Sequence, residues 1–203
     1  MISYDEIKDW MPKTWELKSE EGISMERYIS ASGIQQLYSK NSGIDMDKLI
    51  KNNIFPLDIL HEAIEGEVNA INTMTEVAKN MALVIVEKIS TLYFGWQNSL
   101  GFFDFQKKIE KANHRFLKTK FDKIIIGQRI GDLFKESIGT GILLDQLYDY
   151  IYLLINELES SDFKNHYLEK DKFNSELIKF SRLREAPALG AAIDAYHKNR
   201  RFY

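Results

Sequence analysis

Residues 121–134 read FDKIIIGQRIGDLF, and this stretch decides the fold. Ile124, Ile125 and Ile126 form a β-branched run between Lys123 and Gly127. Consecutive apolar residues of this kind predict a short strand buried on both faces. The pattern then changes. Ile130, Leu133 and Phe134 recur at helical spacing, so a helix over 128–136 follows the glycine. Residues 177–181 (LIKFS) form a second short apolar run. Pro187 then opens a helix running to about Arg200. A strand, a turn and a helix, twice over, is an α/β signature and not that of a helical bundle.

Working outward, the strongest helical period covers 67–93. Val68, Ile71, Thr75, Ala78, Ala82, Ile85, Ile89 and Leu92 predict one apolar face of a long helix. Upstream, Ser30 and Ser32 can each cap a helix that carries Ile34, Leu37 and Tyr38 and stops before Gly43. Asp45 or Asp47 starts a short helix through 48–51, and Pro56 sits in the first turn of another over 57–65. Residues 1–22 read as an irregular or extended lead-in segment, and residues 23–200 as a single domain. Downstream, 95–104 reads as a loop and 105–118 as a basic amphipathic helix. A second long helix spans 142–159, and 160–171 reads as a polar loop. The expected class is therefore helix-rich α/β, with a short central sheet flanked by long helices.

Composition narrows the function classes. The chain has 203 residues, 44% of them hydrophobic, which excludes a mostly disordered polymer. It has no cysteine, so disulfides, thiolate metal sites and a thiol nucleophile are excluded. A net charge of −3 argues against nucleic-acid binding by bulk charge. The first residues lack the apolar stretch of a signal peptide, and no window reaches the ~20 apolar residues of a membrane span. A cytoplasmic protein that binds neither nucleic acid nor membrane is expected. His61, His114, His166 and His197 lie far apart, so no metal site is expected. No Gly-x-Ser-x-Gly elbow occurs.

Three segments carry a resemblance: residues 22–38 (GISMERYISASGIQQLY), residues 121–134, and residues 177–196 (LIKFSRLREAPALGAAIDAY). In this order and spacing they resemble the C-terminal half of bacterial glucokinases and related ROK sugar kinases. Those enzymes have an actin-like ATPase fold, of the ribonuclease H-like kind. The resemblance implies ATP-dependent phosphorylation of a hexose, with ATP and Mg2+ as cofactors. It implies that Glu26 and Gly33 border the sugar, and that Gly127, Gln128, Arg129 and Gly190 border the adenosine. Ala31 and Gln128 stand where the family pattern has glycine. On the residues alone, Glu26 reads equally as a surface carboxylate at a helix start, and Gly127 as part of a turn without a ligand. Ala188, Gly190, Ala191 and Ala192 read first as small residues for close helix–sheet packing.

The resemblance also says what this chain lacks. It contains no Asp-x-Gly-x-Thr phosphate motif and no Asn-Asp pair that would supply the base. Residues 137–141 (SIGTG) fall after the adenosine strand and read as a helix-joining turn. The expectation is thus a C-terminal-lobe-like domain that phosphorylates a hexose only with a complementary N-terminal lobe. The alternative is a non-catalytic binding or assembly module that keeps the fold. The implied partners are a separate N-terminal lobe or a second copy. Apolar residues around 96–105 are the candidate dimer interface.

Overall fold

The structure is a computed structural model that describes residues 7, 9–19, 21–96 and 113–181. Local hydrogen bonding explains the first helices. Helix α1 covers Glu26–Ile29 and α2 covers Ala31–Ser42. Ser30 caps α2, its Oγ accepting the Gly33 N–H at 3.1 Å. Gly43 closes α2 in the left-handed region at φ 74°, donating its N–H to the Ser39 carbonyl. Asp45 caps α3 (Met46–Lys51) by accepting the Asp47 N–H at 2.9 Å. In α4 (Pro56–Ile64), Pro56 occupies the first turn and Asp58 reaches back to the Phe55 N–H at 2.8 Å.

Helix α5 (Val68–Phe94) is 27 residues long, which at 1.5 Å per residue is about 40 Å. Glu67 caps it through the Ala70 N–H. Its packing differs from the single stripe the sequence predicts. Near its start, Ala70, Thr73, Met74 and Val77 are buried while Val68 is exposed. From Val84 to Tyr93 nearly every residue but Lys88 is buried. Three separate groups of neighbours explain this. The main core packs along one side, Leu17 and Met25 pack on Val84, and Ile7 and Phe116 pack on Leu92. The lead-in segment therefore lies against α5, and its Leu17, with Met25, covers Val84, a position that a stripe reading leaves to solvent.

The sheet is small. Strand β1 (Ile124–Ile126) precedes α6 (Gln128–Glu136), which in turn precedes α7 (Leu144–Asn156). The last helix described is α8 (Ser161–Tyr167). It is followed by β2 (Leu168–Glu169), β3 (Lys172–Phe173) and β4 (Ile178–Phe180). Strands β1 and β4 pair in parallel, with Ile124 opposite Ile178 and Ile126 opposite Phe180. Helix α5 packs most extensively on α7, then on α2 and α4, while α6 contacts α4 and β4. The chain is thus helix-rich α/β with a two-stranded parallel sheet among the described residues.

Several expectations need correction. Strand β1 is not buried on both faces: Ile126 is buried but Ile125 is 71% exposed. Its side chain alternates to the face that no described helix covers. Residues 160–171 are not a loop. Ser160 caps α8 by accepting the Phe163 N–H at 3.2 Å. Phe163 and Tyr167, one turn apart, are fully buried. Strands β2 and β3 then form a hairpin whose turn residues, Lys170 and Asp171, both take positive φ. Of the basic helix expected over 105–118, residues 113–118 form a bend and turns, and the rest lies outside the described residues. Trp96 is not an exposed interface residue. It is fully buried and donates its Nε1–H to the Trp10 carbonyl at 2.8 Å. The remainder of that interface and the helix expected from Pro187, with Gly190, lie outside the described residues.

The contact between the lead-in segment and α5 depends on protonation. His114 stacks on Trp10 with ring centroids 5.3 Å apart. Its Nδ1 accepts the Phe116 N–H at 3.2 Å, which requires that nitrogen to be unprotonated. Burial holds His114 below the ordinary imidazole range, only partly offset by the nearby Thr91 backbone. The unfolded chain therefore takes up this proton at about pH 6.5, before the folded chain does. The resulting stability is intact above that pH and falls as pH drops through it towards the folded value. Urea midpoints at about pH 7.5 and about pH 5.5 should differ more in the native chain than in His114→Gln. Equal pH dependence in both would remove His114 from this role.

Candidate functional site

A pocket of about 400 Å³ opens where three helices meet. That is within the usual range for small-molecule sites. Helix α2 contributes Ala31 and Ile34, and the start of α4 contributes Phe55, Pro56 and Leu57. Helix α6 contributes Arg129, Ile130, Asp132 and Leu133. Ile34 and Leu133 are buried and form the floor, while Phe55 and Leu57 are exposed at the rim. The lining is mainly apolar, with Arg129 and Asp132 as its charged members.

The pocket joins two of the three motif segments. Ala31 belongs to the first and Arg129 to the second, and only tertiary packing brings them together. Of the other residues singled out in the sequence, Glu26, Gly33, Gly127 and Gln128 do not line it, and Gly190 lies outside the described residues. Glu26 is the exposed first residue of α1; its backbone N–H donates to Ser24 Oγ at 3.3 Å, and it does not line the pocket. Gly33 is buried in the first turn of α2. A Cβ there would lie 1.4 Å from the Arg27 carbonyl oxygen, so close chain packing alone demands the glycine.

The turn between β1 and α6 leads into the pocket wall that begins at Arg129. Gly127 is extended, and a Cβ there would meet Ser181 Cβ at 3.4 Å, an ordinary contact. Packing against described neighbours therefore does not require that glycine. Gln128 sits at φ 58°, in the left-handed region where glycine is favoured. The turn thus keeps a glycine-type backbone at a position that carries a side chain. The strain of a side chain in this region is of order 1–2 kcal/mol. Gly131 has a different cause. A Cβ there would lie 2.7 Å from the Ile126 carbonyl oxygen, so its absence lets α6 lie directly on β1.

Residues 137–141 do join two helices, and they do not offer a phosphate cradle. The Thr140 N–H donates to the Ser137 carbonyl and the Gly141 N–H to Asp145 Oδ2 at 2.8 Å. The Ile142 N–H donates to Thr140 Oγ1 at 3.2 Å. These amides are already engaged. Among the described residues no group of three His, Asp or Glu side chains is placed to hold a metal ion. Among them, no helix is long and apolar enough to cross a membrane.

Sequence reading missed two parts of the site. The wall made by Phe55, Pro56 and Leu57 comes from a helix with no motif of its own. Asp132 was legible only as one turn beyond Arg129, on the same side of α6. Fold and pocket together define a helix-rich α/β domain with a small-molecule-sized cleft beside a strained strand–helix turn. No protein-family model matches the chain, and no curated protein or solved structure matches it significantly.

The glycine geometry gives a ranked prediction for urea unfolding. Gln128→Gly should stabilise the chain by about 0.5–1 kcal/mol by relieving positive φ. Gly131→Ala should cost about 1–3 kcal/mol through overpacking on the Ile126 carbonyl. Gly33→Ala should cost more than Gly131→Ala, because its clash is deeper. A stabilising Gly131→Ala would contradict the close α6–β1 contact.

Proposed function

We propose that the chain is a C-terminal-lobe-like domain of the glucokinase and ROK sugar-kinase type, with an actin-like ATPase fold. In this reading the pocket holds the adenosine end of ATP. One observation carries it: two motif segments far apart in sequence meet at one pocket of suitable size, beside the turn where the family pattern places the nucleotide. The apolar walls suit a purine and the ribose carbons, and Arg129 supplies a cation towards the phosphates. Exposed Glu26 is free of the pocket and would meet a hexose from outside it, accepting its hydroxyls.

Phosphoryl transfer is chiefly positioning and charge stabilisation. The chain has no Asp-x-Gly-x-Thr and no Asn-Asp, so the amide cradle, the metal Asp and the base would come from a complementary lobe. Mg2+ would arrive with the triphosphate, since no described cluster of carboxylates converges on it. The setting is the cytoplasm, where ATP is plentiful. A second reading, a non-catalytic binding or assembly module, is favoured by Gln128 at the glycine position and by the exposed rim of Phe55 and Leu57.

Calorimetry separates the two. In the kinase-lobe reading the native chain binds ATP-Mg, and Ala31→Trp, which fills the pocket from an exposed helix start, weakens it at least about tenfold. Glucose binding, where present, is lost in Glu26→Ala. No heat with ATP-Mg in the native chain would leave only the non-catalytic module.

A further inference from the structure

One wall of the pocket is the start of α4, and a single buried side chain ties that wall to α2. Gln35 follows Ile34 of the pocket floor and stands one turn beyond Ala31. It is buried, and its Nε2 donates to the Ile54 carbonyl at 2.6 Å. A carbonyl only accepts, so the nitrogen of the amide must face it. Ile54 directly precedes Phe55, Pro56 and Leu57, the residues that α4 brings to the pocket.

The other bonds of this connector stay within its own stretch of chain. The Asn53 N–H donates to the Ile50 carbonyl and the Ile54 N–H to the Leu49 carbonyl, with Asn53 at φ 54°. This is the Schellman pattern, and it ends α3. The Phe55 N–H goes to Asp58. These bonds shape the connector but leave its distance from α2 open. The Gln35 bond reaches across 19 positions of sequence and fixes that distance.

A second tie joins the same two helices elsewhere. Tyr38, one turn beyond Gln35, donates its hydroxyl to Glu62 Oε2 near the end of α4. Neither Tyr38 nor Glu62 lines the pocket. The helix pair is thus held at two levels, and the pocket lies at the level of Gln35. A buried carbonyl without a donor is costly, so the connector would turn its freed carbonyl towards water. Loss of the Gln35 N–H therefore moves the pocket wall, and loss of the Tyr38 hydroxyl does not.

We propose that Gln35 is a positioning residue: its bond to the Ile54 carbonyl sets the spacing between α2 and the Phe55–Leu57 wall, and through it the hold of the pocket on its ligand. The choice of ATP as ligand rests on the nucleotide reading above, and the spacing does not.

Two measurements test it. The chain has no cysteine. Spin labels on Ala31→Cys and Leu57→Cys, both at exposed positions, therefore read the spacing in the ligand-free chain. Gln35→Met, close in shape but without an N–H, should lengthen or broaden that separation, and Tyr38→Phe should leave it native. In the unlabelled chain, calorimetry should show ATP-Mg binding weakened about five- to tenfold by Gln35→Met, the size of one buried hydrogen bond. Tyr38→Phe should bind within about twofold of the native chain while lowering the urea midpoint. Gln35→Asn, one methylene short, takes the place of Gln35→Met where that variant does not unfold cooperatively. A native separation in the Gln35 variant would overturn the proposal, as would equal weakening of ATP-Mg binding by Gln35→Met and Tyr38→Phe. A changed separation with native ATP-Mg affinity would also overturn it, because the spacing would not govern binding. No ATP-Mg binding by the native chain would overturn the nucleotide reading instead, and the label separation would still decide the role of Gln35.

Discussion

Helix α5 can exist at this length only because three sets of neighbours cover it. Its C-terminal half carries Val84, Ile85, Val86, Ile89, Leu92 and Tyr93 around its circumference, all buried. Each aliphatic side chain taken from water contributes about 1.5–3 kcal/mol. A helix apolar all round must be buried all round. The lead-in segment, α7 and the α2–α4 layer each meet one side of that requirement. Glu87 is buried in the same stretch and receives the Thr91 hydroxyl at 3.4 Å, so a polar side chain in this half of the helix is also accommodated.

The site follows from that scaffold. With α2 and α4 both laid against α5, their first turns lie side by side. Helix α6 closes the third side because Gly131 lets it rest on β1. The same turn keeps Gln128 in a backbone region that L-residues avoid. Strain of this kind persists only where surrounding structure dictates the conformation. At the other end of α5, Tyr93 donates to Asp162 at 2.6 Å and Lys120 pairs with the same carboxylate at 2.8 Å. These contacts hold the start of α8 and the approach to β1 near the end of the long helix.

Of the site residues named from the sequence, Arg129 lines the pocket that the structure forms. It was singled out with Gly127 and Gln128 by the family resemblance, and those two do not line the pocket. Ser30 and Gly33 stood out as a helix start, although packing on Arg27 accounts for the glycine. The wall from Phe55 to Leu57 was not legible as part of a site, because nothing near it in sequence points towards α6. Asp132 was hidden for a related reason: an aspartate on an amphipathic helix looks solvated until the facing helix is known.

The sequence by itself determined the helices with strong caps. Ser30, Asp45, Pro56, Glu67 and Gly43 act through hydrogen bonds or φ restriction within a few residues, so their effect is written locally. It likewise determined the strand–glycine–helix unit at 124–136. Tertiary structure alone decided which sides of α5 are buried, why Ile125 faces outward, and how residues 160–171 fold into a helix and a hairpin. It also decided that Ala31 and Arg129 share a pocket. Those outcomes depend on which elements pack together, and burial is a property of the pair of surfaces in contact, not of either segment alone.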